Sequence, residues 1–168
     1  MTFYPMETPS SSSKGHSNRR FPWFIVITLT CIAAIFLNSL MDSNLSSAQS
    51  GAVLHFLQKV IAQLGGNPEW ITMHLVRKAA HFTEYAILGT LLFLSTAKKR
   101  RGWLYQPLFF GLLIPVLDES IQLLVPGRTG QVKDVLLDYA GVLFGMAIGA
   151  VLRAIWHWLF SKRKKESP

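Results

Sequence analysis

The sequence predicts an all-α fold, an integral membrane bundle of four transmembrane helices with a short external amphipathic helix between the first and second. Three observations predict it. Half of the 168 residues are hydrophobic and only 15% are charged, against roughly a quarter charged in a soluble domain. The apolar residues gather into four uninterrupted runs, each long enough as a helix to cross a hydrocarbon layer of ~30 Å. The basic residues sit in short clusters beside those runs, where topology-setting charges belong. The formal charge of +8 would suit a nucleic-acid binder only as a surface stripe interleaved with aromatics. No such stripe exists, so no nucleic-acid partner is expected. The length allows one domain. The single cysteine, Cys31, lies inside the first run, which excludes an internal disulfide or a Cys-based metal cage.

Residues 1–20 are rich in Ser, Pro and Thr and read as a disordered cytoplasmic tail. The membrane domain spans 21–160, with runs at Phe21–Met41, Ala79–Ala97, Leu108–Val125 and Val135–Phe160, and 161–168 forms a basic cytoplasmic tail. The first run exceeds a signal-peptide core and lacks a clean small-residue cleavage site, so it reads as a retained helix. Residues 51–64 place Val53, Leu54, Phe56, Leu57, Val60, Ile61 and Leu64 at helical spacing, too short to span. That segment suits a helix on the membrane surface, or one packed on the bundle, ended by Gly65, Gly66, Asn67 and Pro68. Most of the 17 Lys and Arg fall on one side: before the first run, in Lys98–Arg101, at Arg153 and in Lys162–Lys165. Both termini are therefore expected in the cytoplasm, with Trp23, Trp103, Trp156 and Trp158 at that boundary.

With this topology the scarce polar groups reach one level near the outer face. Lys78, His81, Glu84 and Tyr85 occupy the outer turns of the second run; Asp118, Glu119 and Gln122 the outer half of the third; Arg128 follows Pro126 and Gly127; Asp134 and Asp138 open the fourth. Helical phase puts Gly111, Pro115, Asp118 and Gln122 on one stripe, and Asp134, Asp138, Gly141 and Gly145 on another. Gly141, Gly145 and Gly149 form a doubled GxxxG seam that admits a close neighbour. Carboxylates at bilayer depth cost at least ~2.5 kcal/mol each and persist when paired or set in a wet cavity. Arg128, Lys78, Lys133 and His81 are the available counter-charges. A buried ionic cluster follows, either a network that locks helices together or a ligand or reaction site.

The individual residues carry distinct signals. His81 and Glu84, three apart, form a hydrogen-bonded pair more readily than a metal site with Asp118 or Asp134, and no metal or cofactor is expected. Asp118 and Glu119 diverge on a helix, which disfavours a paired acid–base dyad. Arg128 can grip a phosphate or carboxylate, or simply reach to the interface. His55, His74 and His157 stand alone.

The stretch RKAAHFTEYAILG, followed after a basic loop by LDESIQLLVPGRTGQVKDVLLDYAGVLFG, resembles the VanZ-like family of small bacterial membrane proteins, named for a protein linked to teicoplanin resistance. The family's pattern falls on Lys78, His81, Tyr85, Leu88 and Gly89, on Asp118, Glu119 and Gln122, on Pro126, Gly127 and Arg128, and on Asp134 and Gly141. Asp138 stands where that pattern has Asn. The resemblance implies a multi-pass protein of the bacterial plasma membrane with membrane lipids as partners and a link to glycopeptide resistance; it implies no particular reaction. Three functions stay open. One is an envelope accessory protein that binds a lipid-linked cell-wall component or the glycopeptide itself. The second is an enzyme acting at the outer leaflet, although the chain lacks a Ser-Gly-His element and a GxSxG elbow. The third is an ion-coupled carrier, which would need a homodimer because four helices are few for transport.

Overall fold

The computed structural model describes residues 23–40, 43–96, 102–127 and 130–163. The tail at 1–20, the basic loop at 98–101, Arg128 and residues 164–168 lie outside the described residues. Five helices and no strands make up what is described: α1 (Trp23–Ser39), α2 (Ser43–Gln63), α3 (Met73–Ser95), α4 (Tyr105–Gln122) and α5 (Val132–Arg163).

Each helix has a local cause. In α1 the hydroxyls of Thr28 and Thr30 donate back to Phe24 O and Val26 O, at 2.5 and 3.0 Å, so an almost wholly apolar helix carries them satisfied. Its inward stripe is Thr28, Ile35 and Ser39. α2 ends in a Schellman turn: Gly65 adopts φ +78°, its N–H donates to Ala62 O at 3.1 Å, and the Gly66 N–H reaches Ile61 O at 2.9 Å. α3 starts where the Thr72 hydroxyl accepts from the Leu75 N–H at 3.2 Å. α4 contains Pro115, whose missing N–H lies on the buried face with Gly111, Asp118 and Gln122.

The core is built around α3 and α5. A Cβ at Gly141 would stand 2.7 Å from Phe82 O, and Cβ atoms at Gly89 and Gly145 would overlap the backbone of Val142 and Ala86. The two backbones therefore touch, as small-residue seams permit. Thr90 Oγ1 lies 2.9 Å from Ala86 O and 2.8 Å from Gly145 O, sharing its hydrogen between its own helix and the neighbour. α1 and α4 pack against this pair and each other, and α2 packs on α3. Ile35, Tyr85, Leu88, Leu92, Phe93, Ile114, Val142 and Met146 fill the centre.

Side-chain contacts order the helix ends. Ser39 and Asp118, at the ends of α1 and α4, meet, while Lys78 and Asp134, near the starts of α3 and α5, pair at 2.5 Å. At the opposite end Arg153 donates to Phe93 O and, at 3.1 Å, to Thr96 O, and stacks 4.4 Å above the Phe93 ring. A guanidinium thus caps the free carbonyls of α3. Consecutive helices of the four-helix core alternate in direction.

Several boundaries differ from the sequence expectation. α3 begins six residues before Ala79, because Thr72 caps a first turn whose His74, Arg77 and Lys78 interrupt the apolar run. α2 begins at Ser43 rather than 51, so the intervening helix is 21 residues long. α4 starts at Tyr105 and stops at Gln122, and α5 starts at Val132. Length and composition single out one helix among the described residues as clearly apolar enough to cross a membrane, α5 over Val132–Leu159, with mean hydropathy 2.0. α1 is apolar but has 17 residues. α3 and α4 carry Arg77, Lys78 and Glu84, and Asp118 and Glu119, which lower their mean hydropathy.

Candidate functional site

Buried polar groups mark the site, because an interior polar side chain is costly unless satisfied. Asp118, Glu119, Gln122, Asp138 and Ser39 are all buried. Asp118 projects from the inward stripe of α4. One of its oxygens accepts from the Ser39 hydroxyl of α1, and the other from Gln122 Nε2 at 3.2 Å. Gln122 Nε2 also lies 3.4 Å from Ser39 Oγ, closing a three-residue network between two helices. The donors to this carboxylate among the described residues are neutral.

Asp138 lies on the first half of α5, on the stripe that continues through Gly141 and Gly145, so it faces α3 at the closest helix contact. It is 1% exposed, and neither of its oxygens accepts a hydrogen bond from a described residue. His81, from α3, sets Nδ1 at 4.0 Å from Asp138 Oδ1. One potential donor atom from each of His81, Asp118 and Asp138 lies within 4.8 Å of the other two. Tyr85, one turn further along α3 and fully buried, sets its hydroxyl beside Asp118 and Asp138. This is a nitrogen and two carboxylates on three helices, floored by a phenol.

The remaining residues anticipated for the cluster occupy its periphery. Glu119 is buried and accepts the Gln131 N–H at 2.9 Å, tying the end of α4 to the segment entering α5. Lys78 and Asp134 form an ion pair about one-third exposed, at the mouth rather than within the buried set. Glu84 lies with His81 in the wall of a groove of about 590 Å³ between α1, α2 and α3, together with Asn38, Val53, Leu57 and Val76. His81 therefore faces both the groove and Asp138. Arg128 falls outside the described residues.

Sequence reasoning missed Ser39 and Asn38. The signal was present: the α1 stripe through Thr28 and Ile35 ends on Ser39. It paired His81 with Glu84 through their i, i+3 spacing and did not anticipate Asp138 as the group that faces the imidazole across the helix interface.

The chemistry open to such a site is restricted. Asp118 is oriented on both oxygens and Asp138 on neither, so the pair has one fixed and one available carboxylate. The groove beside them has an apolar wall broken by the Asn38 amide, the Arg77 guanidinium, the His81 imidazole and the Glu84 carboxyl, suited to an amphiphile with a polar end.

Comparison with curated proteins and with solved structures gave no match. A family model described as VanZ/LLP1 matches residues 24–153, a range that runs from α1 into the second half of α5 and contains every group of the site. The polar cluster and the glycine seam that positions it thus lie within that match, and the chain belongs to the VanZ/LLP1 family.

Proposed function

We propose that the chain is a multi-pass protein of the bacterial plasma membrane whose buried polar cluster and adjoining groove bind an amphiphilic envelope component. That component is a lipid-linked cell-wall molecule or a glycopeptide, and binding contributes to glycopeptide resistance. In this reading α1, α3, α4 and α5 cross the bilayer, both termini are cytoplasmic and the cluster lies near the outer leaflet. The observation that carries it is the inversion of polarity. Asp118, Glu119, Gln122 and Asp138 are interior, while Phe24, Ile27, Phe109, Leu112, Phe144 and Val151 point outward. In water such a surface would be an aggregation liability; in lipid it is solvated. With 17, 23 and 18 residues, α1, α3 and α4 measure ~26, ~35 and ~27 Å. These lengths suit a hydrocarbon core of ~30 Å with modest tilt or thinning. Asp118 and Glu119 of α4 are buried against neighbours, as intramembrane ionisable groups are when they serve a function.

The groove supports an amphiphile as ligand, since its apolar wall meets His81 and Glu84. The test is teicoplanin susceptibility in a strain that depends on this protein. His81→Gln or Glu84→Gln is expected to raise susceptibility at least fourfold with the protein level unchanged in the membrane. Unchanged susceptibility at equal protein level would overturn the binding role.

A second reading rests on His81 itself, because an imidazole backed by a carboxylate and facing a groove is the arrangement of a general base. Turnover of a lipid or cell-wall substrate would then change the lipids or muropeptides of a deletion strain in mass spectrometry. No altered species would remove it.

A further inference from the structure

We infer that His81, Asp118 and Asp138 form a binding site for one divalent transition-metal ion, Zn²⁺ or Mn²⁺ in chemical class. The inference goes beyond the proposed envelope role and does not depend on it. It stands first on convergence. α3, α4 and α5 each supply one donor, an imidazole nitrogen and two carboxylate oxygens, and the three atoms lie within 4.8 Å of one another. Small side-chain rotations bring such atoms to the ~2.0–2.2 Å of a metal–ligand bond.

The second observation is independent. Asp138 is 1% exposed and neither of its oxygens accepts a hydrogen bond from any described residue. A buried carboxylate in this state lacks a counterpart for both oxygens, and His81 at 4.0 Å is beyond hydrogen-bond reach. A carboxylate so placed is explained by an ion in the space it faces. Asp118 adds a third argument. The Ser39 hydroxyl and Gln122 amide hold it by its two oxygens without contributing charge, as outer-sphere donors orient a ligating carboxylate. Lys78, at this end of α3, is engaged by Asp134.

The donor set selects the metal class. Imidazole with two carboxylates suits Zn²⁺, Mn²⁺ or Fe²⁺, whereas Mg²⁺ and Ca²⁺ prefer all-oxygen shells. With three protein ligands the ion keeps positions open for water or a ligand. His81, which also lines the groove, orients that open side toward it.

The experiment uses the full chain in detergent with its affinity tag removed. The protein is stripped with chelator, loaded separately with Mn²⁺ and Zn²⁺, freed of unbound metal by gel filtration and measured by elemental mass spectrometry. Wild type is expected to retain about one equivalent of at least one of the two metals, as the three-ligand site requires. Asp138→Asn and His81→Gln are expected to retain less than a tenth of the wild-type amount, while Asp134→Asn retains all of it. For the metal retained, X-ray absorption at its K-edge on wild type should report one imidazole among oxygen donors, a readout that holds even if a variant fails to fold. Retention of neither metal by wild type, undiminished retention in both His81→Gln and Asp138→Asn, or a shell without imidazole would overturn the site. Wild type that retains neither metal while Glu84→Gln, in the groove but outside the metal set, still raises susceptibility would separate failure of this site from failure of the envelope role.

Discussion

Ser39 shows how much one hydroxyl carries. It is the donor from α1 to the buried Asp118, and it also contacts Gln122. Removing one partner of a buried hydrogen bond costs roughly 1–3 kcal/mol, because the remaining acceptor is left unsatisfied. Ser39→Ala is therefore expected to destabilise the protein by that amount, read as a lowered midpoint of thermal unfolding in detergent, whereas Thr30→Ala, on the exposed side of the same helix, should leave the midpoint nearly unchanged. Equal midpoints for the two variants would show that Asp118 does not rely on α1. The stripe Gly111–Pro115–Asp118–Gln122 was legible in the sequence because it is a property of a single helix with 3.6 residues per turn. The Ser39–Asp118 and His81–Asp138 contacts were not, since each depends on which helices are neighbours. Spacing within one helix points His81 only to residues of α3 such as Glu84.

At the scale of elements, the α3–α5 contact decides whether the site exists. Gly145 sits where a Cβ would overlap the Ala86 backbone, which cannot rotate aside. Gly145→Ala is expected to force the two helices apart, at a cost of ~3 kcal/mol or more for overpacking against main chain. Monodisperse protein should be lost or its thermal midpoint should fall sharply. Gly51→Ala, whose Cβ would meet only Met73 Cε at 3.5 Å, should be tolerated. Tolerance of both substitutions would mean that the helices are further apart than described. The glycine repeat announced a close neighbour, but a seam does not say which helix fills it; the facing Gly89 and Thr90 of α3 do. The first turns of α2 and α3 were hidden for a different reason. SNLSSAQS and MHLVRK have no apolar run, and in α3 the Thr72 cap supplies the start that an apolar pattern does not show.

For the whole molecule, two ends of opposite character explain why the cluster is where it is. One end gathers Ser39, His81, Asp118, Asp138 and the Lys78–Asp134 pair; the other closes with Arg153 over Phe93, and Trp103 packs edge-on to that ring. Alternating helix direction brings the last turn of α4 to the first turns of α3 and α5, which no pattern within a single run contains. The asymmetry of basic residues predicts which of those ends faces the cytoplasm, an orientation for the labelling measurement below to test. The most direct measurement of the central claim is single-cysteine labelling with a membrane-impermeant maleimide in a Cys31→Ala background. Asn67→Cys and Gln131→Cys, beside the polar end, are expected to label in intact cells, and Tyr105→Cys, at the start of α4, only after permeabilisation. Labelling of Tyr105→Cys from outside, with Asn67→Cys and Gln131→Cys protected, would contradict an outward-facing polar cluster.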